Sequence, residues 1–283
     1  MVERIFVPMS WRRFPITRVD AFADRPFTGN PAAVMPLDEW LDDRALQAMA
    51  AENNLSETAF LVPDESDAAD YELRWFTPRV EVALCGHATL ASGHVLLSSA
   101  AWRNEMRFRT RKAGILTVAR AGDDDGDDVY RMTLPAYPPE PKALPDIAAA
   151  VGGRPVETLW HDGGYALLVY ASAAEIHALA PDMAALRALG DMLAIATAPG
   201  VDDPSAADFI SRVFVPSAGV DEDPVTGSAH CVLTPYWSAR LGRARLSAWQ
   251  ASKRGGSVGC RLDGDRVELT GCCVTTLEGD FLL

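Results

Sequence analysis

Residues 74–94 read RWFTPRVEVALCGHATLASGH, and residues 212–229 read RVFVPSAGVDEDPVTGSA. Each stretch starts with an Arg in a strand-like pattern, meets a Pro, passes acids and reaches a Gly that opens a run of small, helix-compatible residues. Arg74 precedes Gly86 by 12 positions and Arg212 precedes Gly227 by 15, and the two arginines stand 138 apart, close to half of the 283-residue chain. An echo at that spacing predicts two related half-molecules, each running strand, Pro-bounded loop, Gly, helix.

The start of a helix leaves backbone N–H groups unpaired and carries a partial positive charge. A Gly at that point lets a ligand approach the backbone closely. Gly86-His87-Ala88-Thr89 and Thr226-Gly227-Ser228-Ala229 therefore each read as a cradle for a carboxylate. If the halves face one another, both cradles flank a single cleft.

The remaining elements mix strand and helix. Residues 15–22 and 30–37 read as strands around a polar loop, and Asp38 opens an expected helix over 38–54 with Trp40, Leu41, Leu46 and Met49 near one face. Residues 57–63 and 71–78 read as strands bounded by Pro. Residues 106–135 read as a pair of hairpins, with the acidic Gly/Asp run after Ala121 as an exposed turn.

Bulk composition narrows the class. The chain is 48% hydrophobic, enough for one large domain or two, and its formal charge is −13, from 39 acidic and 26 basic residues. No Lys/Arg run forms a phosphate-binding stripe, so nucleic acid is not an expected partner. No stretch approaches 18 unbroken apolar residues and none reads as a signal peptide, so no membrane role is expected. Five cysteines, two of them adjacent at Cys272-Cys273, suit a reducing cytoplasm better than a disulfide framework. There is no C-x-x-C pair, phosphate-binding G-x-x-x-x-G-K-[ST] loop or G-x-G-x-x-G fingerprint.

Cys85, His87, His230 and Cys231 offer four metal ligands, but the spacings C-x-H and H-C are not those of a common zinc module. The Cys85 and His87 side chains are expected to diverge, His230 and Cys231 to leave different sides of a helix, and no metal is expected. A nucleophilic Cys85 with His87 as its base is a weaker alternative to a buried, packing Cys85. His94 reads as a core histidine, and His161 and His177 as structural or exposed. Glu57 immediately precedes an apolar strand, where partial desolvation would suit its carboxyl to proton transfer near neutrality, against a plain capping or surface role. Asp223, before a Pro and a helix start, is either a cap or a functional acid beside the second cradle.

Five blocks carry a resemblance: VDAFADRPFTGNPAAV (19–34), NNLSETAFLV (53–62), WFTPRVEVALCGHATLASGHVL (75–96), EDPVTGSAHCVLTPYW (222–237) and QASKRGGSVGCRLDGDRVELTG (250–271). In this order they resemble the PhzF family of phenazine-biosynthesis-like isomerases. The resemblance implies an α+β, diaminopimelate epimerase-like fold, in which two pseudo-symmetric domains each wrap a mostly antiparallel sheet around a central helix. It implies a first half over about 11–130, a second over about 131–274, a C-terminal strand from about 275 returning to the first half, and an active site between them.

Carried over position by position, the family's acid/base glutamate falls on Glu57, its motif histidine on His87, its aspartate on Asp223 and its cradle serine on Ser228. Gly86, Ala88, Thr226 and Gly227 become the substrate-binding positions. Related epimerases of this fold transfer protons with two cysteines. Here the second-half position is occupied by DPVTGS, which speaks against a two-thiol racemase. Ala83 stands where family members often have Pro, which bears on loop stiffness. The implied activity is a cofactor-independent isomerisation that moves a proton on a small carboxylic acid, in a homodimer. A non-catalytic small-acid or partner-binding protein and a thiol-dependent epimerase are the alternatives.

Overall fold

The computed structural model describes residues 11–122 and 129–283. The first half of the chain forms β1 (Arg13–Ala21), β2 (Asn30–Pro36), α1 (Asp43–Asn53), β3 (Glu57–Pro63), β4 (Tyr71–Phe76) and β5 (Glu81–Val82). It continues with α2 (Gly86–Ser99), β6 (Glu105–Thr110), β7 (Ile115–Arg120) and β8 (Val129–Pro135). The second half opens with β9 (Glu140–Pro141), α3 (Pro145–Val151), β10 (Glu157–His161), β11 (Tyr165–Val169), α4 (Ala173–Ala178) and α5 (Met183–Ala188). Then come β12 (Leu193–Pro199), β13 (Phe209–Val215), β14 (Val220–Asp223), α6 (Gly227–Leu241), β15 (Arg245–Gln250), β16 (Gly256–Asp263) and β17 (Arg266–Leu282).

Strand pairing repeats between the halves. β2 runs parallel to β3, and β11 parallel to β12. β4 runs parallel to β6, and β13 parallel to β15. The short β5 returns along β4 just as β14 returns along β13, and the β6/β7 hairpin has its counterpart in β15/β16. The other pairings are antiparallel, so the fold is α+β as expected. β17 ties the halves together: its start pairs with β16, Arg266–Cys272 pair with β8, and Cys273–Leu282 pair with β1. The 130/131 division falls inside β8, whose strand runs to Pro135 before the chain crosses over.

The echo has a physical basis at its arginines. Arg74 forks onto Glu81, with Nε and Nη2 donating at 2.8 Å each, and Arg212 forks onto Glu222 at 2.7 and 3.0 Å. Each guanidinium also lies over a Phe two residues on, Phe76 and Phe214. Bidentate pairing holds each short returning strand in register just before its helix begins.

α2 is buried on nearly every side because strands of the first half surround it, so its residues are small or internally satisfied. Thr89 and Ser92 donate to carbonyls one turn back at 2.6 and 2.7 Å, and the His94 ring bridges the hydroxyls of Tyr130 and Thr275. His94 is the core histidine expected. At Gly93 a Cβ would stand 2.3 Å from Val118 Cγ1, so only Gly fits. α6 takes the same place in the second half and carries Pro235, which has no N–H to give the Cys231 carbonyl. That carbonyl accepts from the Tyr137 N–H at 2.9 Å instead.

One helix start differs from expectation. α1 begins at Asp43, capped by Asp42, whose Oδ1 accepts the Ala45 N–H at 2.9 Å; Asp38 does not cap it. Trp40 is drawn out of the helix pattern by the Arg74 guanidinium over its ring and by its own Nε1 donating to Glu72 at 3.0 Å. The β6/β7 and β7/β8 hairpins form as read, while the acidic run at 123–128 lies outside the described residues. No helix among the described residues is long and apolar enough to cross a membrane.

Candidate active site

The two helix starts meet. A Cβ on Gly86 would stand 3.2 Å from the Gly227 Cα, and the converse distance is also 3.2 Å, so backbone faces backbone where α2 and α6 begin. Neither N-cap residue, Cys85 or Thr226, caps its helix with a side chain. Two positive helix ends therefore share one point, and a cavity of about 280 Å³ opens over it. Gly86→Ala is expected to lower the unfolding free energy by roughly 1–2 kcal/mol, since overlap with Gly227 outweighs what Ala gains over Gly in a helix. A shifted urea midpoint at constant slope would show it; a variant as stable as wild type would mean the helix ends are free to part.

The cavity is lined by Glu57, His87 and Asp223 as its charged groups, with Ser228 and Tyr165 beside them and no Lys or Arg. Glu57 begins β3 and places Oε2 3.1 Å from Nε2 of His87. That oxygen is buried and makes no well-directed hydrogen bond, so its lone pairs remain to be used. Cys85, in extended conformation at the N-cap, brings its sulfur to 3.5 Å from His87 Nδ1.

Asp223, at the end of β14, is fully engaged. Its Oδ1 accepts from Asn30 Nδ2 at 2.8 Å, its Oδ2 accepts from the Thr226 hydroxyl at 2.5 Å, and its backbone carbonyl accepts from Gln250 Nε2 at 2.7 Å. Asn30 also donates to the Val225 carbonyl at 2.9 Å. Both partners only accept, so both amide hydrogens are taken up there, and the nitrogen stands 3.1 Å from His87 Nδ1.

Burial acts on each ionisable group. It pushes the Asp223 carboxyl up to about 6, opposed by His87, reinforced by the Glu57 carboxylate and opposed by the Thr226 and Asn30 donors. Burial works against a charge on His87, yet the Cys85 sulfur and the Glu57 carboxylate hold the ring well above its ordinary value. Burial also pushes the Cys85 thiol up to about 11, and the neighbouring Glu57 adds to this. A thiol so placed is neutral near pH 7, which leaves the Glu57 and Asp223 carboxyls as the acids that His87 faces. The Glu57 carboxyl and a His87 ring whose charged form is favoured therefore stand 3.1 Å apart, with the Asp223 carboxyl on the other side of the ring.

The family model for phenazine biosynthesis-like proteins, PhzC-PhzF, matches residues 19–279. The chain belongs to the PhzF family. An uncharacterized isomerase of Pseudomonas aeruginosa is 49% identical over 95% of this chain and 98% of its own length. A human phenazine biosynthesis-like domain-containing protein is 38% identical over 94% of this chain and 98% of its own. The crystal structure of a PhzF-family protein of Enterococcus faecalis superposes with a TM-score of 0.84 at 37% identity, covering 96% of this chain and all of that one. A probable proline racemase from Agrobacterium radiobacter, 14% identical with a TM-score of 0.64, shares the fold. With relatives named as isomerases at this identity over nearly full length, this PhzF-family chain is an isomerase.

Seven of the eight residues singled out in sequence line the cavity of this PhzF-family chain: Glu57, Gly86, His87, Asp223, Thr226, Gly227 and Ser228. Ala88 does not. As the third residue of α2 it turns its methyl into the core, where it is wholly buried. The Thr226 hydroxyl is committed to Asp223. Cys85 and His87 converge where divergence was expected, because the extended N-cap folds the sulfur back over the first turn. Glu57, Cys85 and His87 thus form the one His/Cys/acid group among the described residues with ligand atoms within 4.8 Å of one another. His230 is elsewhere, with Nδ1 2.8 Å from the Thr226 carbonyl and its pKa lowered by burial to about 4, and Cys231 is in the core.

Three residues were missed. Asn30 and Gln250 are wholly buried and orient Asp223; Tyr165 lines the cavity with its phenol engaging Ser228. Asn30 had a legible sign. Gly29, at φ +62 with no room for a Cβ beside the Ala21 carbonyl, makes a turn that delivers Asn30 to the start of β2.

Proposed function

We propose that this chain is a cofactor-independent isomerase in which Glu57 removes a proton from an activated carbon of a small carboxylic acid and returns it to another carbon of the same molecule. The observation that carries this is the Glu57–His87 pair, 3.1 Å apart, directly over two abutting helix starts in a small cavity. The helix ends and Ser228 take the substrate carboxylate and hold the charge that develops on it. With no Lys or Arg lining the cavity, that task falls to backbone N–H groups.

The step balances within the substrate. The C–H electron pair moves into the conjugated system as Glu57 takes the proton, and a C–H bond forms elsewhere as Glu57 gives it back. The His87 ring, whose charged form is favoured, stabilises the carboxylate between transfers, and Asp223, held by Asn30 and Thr226, keeps a second carboxyl across the cavity. Apolar walls from Val82, Leu84, Leu193 and Val215 accommodate a compact hydrocarbon body and exclude water.

One contact favours a second reading, a thiol-dependent epimerase: the Cys85 sulfur lies 3.5 Å from His87. Its thiol, pushed up to about 11, speaks against that. Solvent-deuterium exchange into small carboxylic acids, compared between wild type and Cys85→Ala, tests the choice. Activity within about tenfold of wild type is expected, since general acid–base chemistry worth roughly 10²–10⁴-fold stays with Glu57. A hundredfold loss in a folded Cys85→Ala protein would move the chemistry to sulfur.

A further inference from the structure

Behind β5 lies a second cavity of about 230 Å³, separated from the catalytic one by Val82 and Ala83, which line both. It forms where β4 changes partners: Tyr71, Glu72 and Leu73 pair with β6, while Trp75 and Phe76 pair with β5. The turn from β6 to β7 brings Arg111 and Lys112 to its rim. Arg74, Arg111 and Lys112 line it together with Glu81, and Asp43 pairs with Arg74 at 2.9 Å from outside, so three cations face two acids, a basic excess in a chain with a formal charge of −13. Glu81 is divided between Arg74 at 2.8 Å and Arg111 at 3.2 Å, and Lys112 has no acidic partner among the described residues.

A second observation is independent of charge. Trp75 lines the same cavity, is 2% exposed, and its buried Nε1 has no hydrogen-bond partner. Buried indole N–H groups ordinarily find an acceptor. The cationic excess and the unmatched donor call for one chemistry, a negatively charged acceptor. We infer that this cavity is a binding site for a small oxyanion, a carboxylate or a phosphate group, held between the Trp75 indole N–H and the cations of Arg111 and Lys112. Because Val82 and Ala83 wall both cavities, an anion seated here braces the segment that leads into Cys85 and Gly86.

The test is a titration of the full-length protein, with ¹⁵N-labelled tryptophan, by inorganic phosphate and separately by acetate, at ionic strength held constant with chloride. A saturable downfield shift of one indole N–H resonance is expected, and Trp75→Phe should remove that resonance. Arg111→Ser/Lys112→Ser, altered only in an exposed turn, should raise the dissociation constant at least about tenfold, the effect of losing two charge-assisted contacts. The anion that saturates at lower concentration identifies the source as carboxylate or phosphate. The comparison with the Arg111/Lys112 double variant stands whether or not Trp75→Phe folds. No saturable indole shift with either anion would overturn the inference, and so would an equal response in the double variant, which would place the anion at the helix ends. The readout is binding and is independent of the isomerase reading.

Discussion

Glu57→Gln is expected to abolish most of the activity, lowering both isomerisation and solvent exchange by at least about 10²–10⁴-fold, the range that general acid–base catalysis contributes. Gln keeps the length and shape of the side chain but cannot hold a proton between two carbons. Its amide still reaches His87 Nε2, 3.1 Å from the present Oε2, so the ring stays in place. Folding should change little. Gln drops a buried charge with no directed hydrogen bond but also gives up its attraction to His87, and the two effects oppose one another. Substrate binding should survive, because the helix ends at Gly86 and Gly227 are untouched. Reduced rate with retained affinity separates loss of a base from loss of a site.

Asp223→Asn carries the other large effect, and its sign is opposite for stability and for rate. The native Asp223 carboxyl sits at about 6 against an ordinary 3.8, so the folded state prefers the neutral form. Stability from that preference is fully present below 3.8 and is lost as pH rises through about 6. That difference corresponds to roughly 3 kcal/mol. Asn removes the buried charge while keeping the shape beside Asn30 and Thr226. The variant is therefore expected to unfold at higher urea than wild type at pH 7.5, by up to about 3 kcal/mol, with the gain shrinking as pH falls from about 6 toward 4. Isomerisation should fall at the same time, since a buried acid kept at such a cost is a mark of function. A variant less stable than wild type at pH 7.5 would mean that the Asn30 and Thr226 hydrogen bonds outweigh the desolvation of the charge.

Much of the architecture was legible because it rests on residue types with few substitutes. Gly86 and Gly227 announce the place where two helix starts touch, since a Cβ on either would meet the other's backbone. Arg74 and Arg212 announce strands that need a fork onto a following acid. The start of α1 was less legible: Asp38 and Asp42 are equally good caps by composition, and only the tertiary pull of Arg74 and Glu72 on Trp40 decides between them.

In the site, Glu57 and Asp223 stood out beside an apolar strand and a helix start, His87 and Ser228 belonged to the helix-start cradles, and the family resemblance supplied their roles. Asn30 and Gln250 were invisible for a physical reason. Asn30 meets Asp223 across 193 positions and Gln250 meets it across 27, and nothing periodic along the chain records such a meeting. The contact between Cys85 and His87 depends on one extended residue at a helix start, which C-G-H alone does not specify.

The central claim is that Glu57 carries a proton between two carbons of one small acid. The most direct measurement incubates the protein with small carboxylic acids in D₂O and follows each by mass spectrometry and proton NMR, for wild type and Glu57→Gln. The account predicts that wild type converts an acid into its isomer, with deuterium at the receiving carbon to the extent that protonated Glu57 exchanges with solvent before it returns the proton, and that Glu57→Gln forms the isomer at least about a hundredfold more slowly. Isomerisation at near wild-type rate by a folded Glu57→Gln protein would contradict it.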